Sequence, residues 1–129
     1  MSVGLLLITH NRLGDELLGT ARTMFQRMPL RVATLAVGKN DKPEEVQVAA
    51  ERMAAELDEG DGVLLLSDMF GSTPSNIANR LADVERRRVV YGLNLPMLVR
   101  VLNYATLDLD ELVAKACSGG RDGVTVGEV

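Results

Sequence analysis

The chain lacks tryptophan and carries only two tyrosines and two phenylalanines, so a base-stacking platform of the kind that grips single-stranded nucleic acid has little to build from. Excess positive charge is missing too. A formal net charge of -4 and a pI near 5.0 remove the electrostatic route to nucleic acid or to an anionic lipid surface. A single cysteine, Cys117, cannot close an intramolecular disulfide, and the single histidine leaves no Cys/His set for zinc, so neither a metal nor a disulfide scaffold is expected. Cys117 reads as a small apolar residue of a late helix. No apolar run approaches the ~18 residues of a membrane span, and the run near the N-terminus has no basic flank, so a cytoplasmic location is expected. Neither a Walker GKS/GKT sequence nor a Rossmann GxGxxG is present, which argues against a bound nucleotide or other cofactor.

What is there is ordinary globular composition, 47% hydrophobic and 25% charged, over a length that one domain covers, residues 1–129. Residues 3–8 (VGLLLI) form an unbroken apolar run, the pattern of a strand covered on both faces. Residues 31–37, 62–66 and 88–93 repeat it. Between them, residues 13–28, 44–57 and 74–84 have helical periodicity. In the second of these, Val46, Ala49, Ala50, Met53, Ala54 and Leu57 form one apolar stripe. This alternation predicts an α/β fold with a doubly wound, mainly parallel sheet and helices on both faces. Apolar residues 97–104 and a helix over 109–117, capped by Asp108, follow. The pattern thins after Gly119 and Gly120, and residues 124–126 read either as an edge strand or as a tail.

Ligands of open parallel sheets sit outside the carboxyl ends of the strands, so the loops leaving the strands are where chemistry is sought. Three are unusual: THNRLG with the sole histidine, His10; SDMFGSTPSN, residues 67–76; and GLNLPML, with Asn94 two residues before Pro96. Parallel topology brings these loops to one edge, where Asp68 can reach the His10 ring. A carboxylate accepting the Nδ1 proton fixes the tautomer, leaves Nε2 a free lone pair, and stabilises positive charge when Nε2 is modified. Gly71 admits close backbone approach, Thr73 can cap the helix opened by Pro74, and the amides of that first turn can receive an anion.

These residues make the chain resemble the IIA domain of the mannose-type permeases of the bacterial phosphoenolpyruvate-dependent sugar phosphotransferase system. The resemblance rests on three blocks in order, GLLLITHNRLGDELL, GVLLLSDMFGSTPSNIANR and GLNLPMLVRVL. It implies a phosphotransferase activity without bound nucleotide, in which His10 takes a phosphoryl group from the phosphocarrier HPr and passes it to a IIB protein. It implies that Asp68 orients the ring, and that Thr73, with amides around Gly71 and Ser72, holds the phosphate. It implies a homodimer that exchanges a late edge strand, and a link to the membrane only through permease subunits. Because the chain stops within a few residues of this domain, without a linker, the acceptor is expected to be a separate protein, or the role to be partly regulatory. Met69, Phe70 and Asn94 are the expected partner surface, with Met24, Phe25 and Met28 beside Arg22, Arg27 and Arg31 as further candidates.

Three other readings compete. The phosphoryl donor subunit of dihydroxyacetone kinase also has a histidine after its first strand, but its third loop lacks the GSTP sequence found here. A binding module whose partner affinity follows His10 phosphorylation would use the same histidine. A serine hydrolase built from His10, Asp68 and Ser72 lacks the GxSxG elbow and sets serine and aspartate too close in sequence.

Overall fold

In the computed structural model, which describes residues 2–128, the continuous apolar runs become four parallel strands. They are β1 (Gly4–His10), β2 (Val32–Val37), β3 (Val63–Ser67) and β4 (Arg87–Tyr91), in the spatial order β2-β1-β3-β4. The helices are α1 (Leu13–Arg22), α2 (Pro43–Leu57), α3 (Thr73–Leu81), α4 (Leu95–Asn103) and α5 (Leu109–Asp122). Side chains alternate across the sheet, so each strand feeds two cores. Leu5, Leu7, Leu64, Leu66 and Val90 pack with α1, α4 and α5 on one face. Leu6, Ile8, Val63 and Leu65 pack with Val46, Ala50 and Ala54 of α2 and Ile77 and Ala78 of α3 on the other. This is the expected doubly wound architecture, and β1 and β3, fully buried along their apolar lengths, are its centre.

The chain leaves β1 toward β2 on one side and returns to place β3 on the other. That reversal opens a crevice between the carboxyl ends of β1 and β3, the place where such sheets bind ligands. Pairing of Ile8 with Ser67 fixes which residues face each other across it.

Several elements depart from the sequence expectation, each for a local reason. β1 runs on through Thr9 and His10, so the histidine is the last strand residue rather than a loop residue. α1 stops at Arg22 instead of residue 28: the Thr23 hydroxyl donates to the Thr20 carbonyl at 2.6 Å, and Pro29 holds the residue before it out of the helix. α3 stops at Leu81, because the Asp83 carboxylate accepts the Glu85 N–H at 3.0 Å and starts a turn into β4. α5 continues through Gly119 and Gly120, where the sequence pattern thins. Those glycines let α5 close on α4: a Cβ at Gly119 would sit 2.7 Å from Arg100 Cβ, and one at Gly120 2.9 Å from Met97 Cε. Residues 124–126 form no strand within the chain, and Val124 and Val126 are largely exposed. Asp108 caps α5 as expected, in a reciprocal capping box with Glu111.

At the amino edge of the sheet, Asp58 ties the turn after α2 to the entry of β4. Its Oδ1 accepts from the N–H groups of Gly60 at 2.8 Å and Gly62 at 3.1 Å, and its Oδ2 meets Arg86 Nη2 at 2.6 Å. Burial opposes the charge, but the Gly60 and Gly62 amides and the Arg86 guanidinium outweigh it and hold the carboxyl below its usual 3.8. A lowered native value means the stabilisation is present above pH 3.8 and is lost as pH falls through the native value. Asp58→Asn is therefore expected to cost about 1–2 kcal/mol at pH 7. In urea unfolding the gap from the parent protein should narrow below pH 4; a gap constant from pH 7 to pH 3 would contradict this role.

Candidate functional site

His10 and Asp68 are 58 residues apart in sequence but meet across the β1–β3 crevice. Because Ile8 pairs with Ser67, the residue after β3 lies level with the end of β1. Asp68 Oδ2 accepts from the His10 backbone N–H at 3.0 Å and from Nδ1–H at 2.8 Å, while Oδ1 accepts from the Met69 N–H at 3.1 Å. Three donors hold the carboxylate in one orientation, and that side chain is only 9% exposed. The His10 side chain is 45% exposed, so with Nδ1 turned inward its Nε2 edge is the one open to solvent. A carboxylate oxygen can only accept, so the shared proton sits on Nδ1, and in the neutral ring that leaves the lone pair on Nε2.

Alternation along β1 puts Ile8 on the α2/α3 face, and His10, two residues on, follows it. There the ring borders a cleft of 520 Å³ between the loop after β2 and the start of α3, with Thr73 and Pro74 on one wall and Gly38, Lys39 and Asp41 on the other. Thr9 points to the opposite face and is buried, and its hydroxyl accepts the Gly14 N–H at 2.8 Å. That bond holds the first turn of α1 against β1, where Arg12 supplies no side-chain cap.

The third loop works differently from its sequence reading. Ser72, not Thr73, caps α3: its hydroxyl accepts the Ser75 N–H at 3.4 Å, and the Ser75 hydroxyl accepts the Ser72 N–H at 2.9 Å. The Ser72 hydroxyl in turn donates to the Met69 carbonyl at 2.6 Å. Ser72 is thereby committed to its own loop, and the arrangement of a hydrolase triad, with serine on the imidazole, is not formed. Thr73 is the first helical residue and borders the cleft beside His10. Gly71 takes a left-handed conformation, φ +85°, with open space where a Cβ would stand.

The expected partner residues separate into three groups. Met69 and Phe70 stand at the site, 58% and 76% exposed, with Phe70 packed edge-on to Tyr91 at 5.1 Å. Asn94 is two strands away from β1 at the same edge. Its amide also holds the local structure, with Oδ1 capping α4 at the Met97 N–H, 2.9 Å, and Nδ2 donating to the Gly120 carbonyl at 3.1 Å. Met24, Phe25 and Met28 are misplaced by the sequence reading. α1 runs back from the His10 end, and the Leu5 N–H donates to the Arg31 carbonyl at 2.9 Å, so that segment lies at the amino edge, away from the cleft. Phe25 and Met28 pack on the core. The sequence reading passed over Lys39, in GKNDKP, although the loop leaving β2 obeys the same edge rule as the other three.

A family model described as "PTS system fructose IIA component" matches residues 4–117. The PTS mannose-specific EIIAB component of Escherichia coli strain K12 is 34% identical over 127 residues. That match covers 96% of this chain, while the chain spans only 39% of that relative's length. Among solved structures, the mannose/sorbose-specific IIA subunit of Enterococcus faecalis superposes with a TM-score of 0.88 at 27% identity, over 100% of this chain and 97% of that one. The phosphotransferase system component EIIA of Streptococcus agalactiae gives 0.82 at 22% identity, over 96% of both chains, and speaks for the fold alone. With nearly all of its sheet and helices inside the match, the chain belongs to the mannose-type family of IIA components of the sugar phosphotransferase system.

Proposed function

We propose that His10 is the phosphorylated residue, taking its phosphoryl group at Nε2 from phospho-HPr and handing it to a IIB protein. The observation that carries this is the 2.8 Å contact of Nδ1 with a nearly buried Asp68 while the Nε2 edge opens onto the cleft beside Thr73. The Nε2 lone pair forms the new bond to phosphorus, and the donor's P–N bond breaks with its electron pair returning to the donor imidazole. The ring gains positive charge and keeps its Nδ1 proton, and the Asp68 carboxylate stabilises that charge. Transfer to IIB reverses these steps at Nε2. Such transfers are governed by positioning and by stabilisation of charge on the equatorial oxygens, and both are properties of this rigid strand end. The Thr73 hydroxyl and backbone N–H would serve that charge from the start of α3, since Pro74 has no N–H and the Ser75 N–H is taken by the Ser72 hydroxyl.

The donor and acceptor proteins would dock over Met69 and Phe70, apolar side chains exposed beside the histidine. On the same reading the protein is a homodimer. The outer edge of β4, which pairs with no further strand among the described residues, and the exposed Val124 and Val126 are the elements an exchanged strand would use.

Incubation with phosphoenolpyruvate, enzyme I and HPr should place one acid-labile, alkali-stable phosphoryl group on the protein and none on His10→Ala. Absence of incorporation from a competent phospho-HPr would contradict the proposal. Asp68→Asn should fold normally yet slow phosphorylation on the order of 100-fold, because an amide can donate to Nδ1 and so favour the wrong tautomer. Stopped-flow or quench measurement of the rate, with circular dichroism as the folding control, decides it; an unchanged rate would make Asp68 purely structural.

A further inference from the structure

We propose that Lys39 is the cationic contact for the phosphoryl group on His10, an inference that rests on the reading of His10 as the phosphorylated residue. The loop after β2 is held close to the histidine by a specific bond: the N–H of Asn11, the residue after His10, donates to the Val37 carbonyl at 2.9 Å. Lys39 follows two residues later and borders the same cleft as His10 and Thr73. The turn that carries it is tied at both ends, with the Gly38 N–H donating to Asp41 Oδ2 at 2.7 Å and the Asp41 N–H donating to the Gly38 carbonyl at 3.2 Å. Lys39 thus stands on a braced turn rather than on a free loop.

Charge makes the case. A phosphohistidine brings up to two negative charges to Nε2 while Asp68 already holds one against Nδ1. Around the cleft, Asp41 is the other anion, and its carboxylate is engaged by Gly38. α3 has no acid in its first turn, and the beginning of α2 carries Lys42 and Glu44 further along the same loop. Arg12, on the loop after β1, faces Asp15 at 3.6 Å. Lys39 is the one cation bordering the cleft, and it forms no ion pair among the described residues. Thr73 then acts on the phosphoryl oxygens from one wall and the Lys39 ammonium from the other. Since Lys39 is exposed, its effect is screened by salt.

Phosphorus NMR of the protein phosphorylated through HPr tests this directly, because the pH titration of the phosphoryl resonance senses a nearby cation. Lys39→Gln is expected to raise the titration midpoint by about 0.5 in pH at low salt, with Lys39→Arg restoring the parent value and 0.5 M salt shrinking the difference. Equal midpoints in the parent protein and Lys39→Gln would overturn the role of Lys39 while leaving phosphorylation of His10 standing. A shift that Lys39→Arg does not reverse would also overturn it, as a change of loop structure. Absence of any phosphohistidine resonance in the parent protein would overturn the underlying reading and this inference with it.

Discussion

One carboxylate oxygen, Asp68 Oδ2, accepts both the backbone N–H and the ring N–H of His10. The first bond closes β1 against the loop after β3, and the second sets the imidazole; the same atom therefore fixes where the strand ends and how its last side chain faces. This works only because β1 and β3 are adjacent parallel strands in a register that brings residue 68 level with the end of β1. The rest of the fold serves that register. Two cores clamp the central strands from both faces, and a shift of one residue would turn every buried leucine of β1 to the wrong core.

Stability and chemistry are assigned to opposite edges of the sheet. The Asp58–Arg86 tie and the packing of Phe25 and Met28 lie at the amino edge, whereas His10, Asp68, Thr73 and Lys39 lie at the carboxyl edge. The carboxyl edge can therefore carry an exposed histidine and two exposed apolar side chains, Met69 and Phe70, at little expense to the core. Solvent access at Nε2 and burial at Nδ1 are opposite demands on one ring. Placing the residue at the last position of a buried strand satisfies both.

Much of this was readable in the residues. Strands buried on both faces write continuous apolar runs, and VGLLLI and GVLLL placed the two central strands to within two residues. Parallel topology put Asp68 within reach of His10, and the family resemblance named it as the carboxylate that orients the ring. What the residues did not reveal depends on side-chain choices between near-equivalent partners. Ser72 and Thr73 are both able to cap a helix opened by Pro74, and the Ser75 hydroxyl three residues after Ser72 tips the choice. Gly119 and Gly120 look like a helix stop but mark a helix contact, because the presence of Arg100 and Met97 opposite them is a tertiary fact. Lys39 was hidden for a different reason: a lysine in a polar turn resembles ordinary surface until Asn11 is seen to tie that turn to the histidine.

Phosphoryl transfer at this site depends on the state of one imidazole, and the chain has only one. Long-range proton–nitrogen correlation NMR reads both ring nitrogens without mutation. Neutral His10 is expected to carry its proton on Nδ1, and phosphorylation to shift Nε2 and couple it to phosphorus. A proton on Nε2 in the neutral ring, or phosphorus bound to Nδ1, would contradict this expectation.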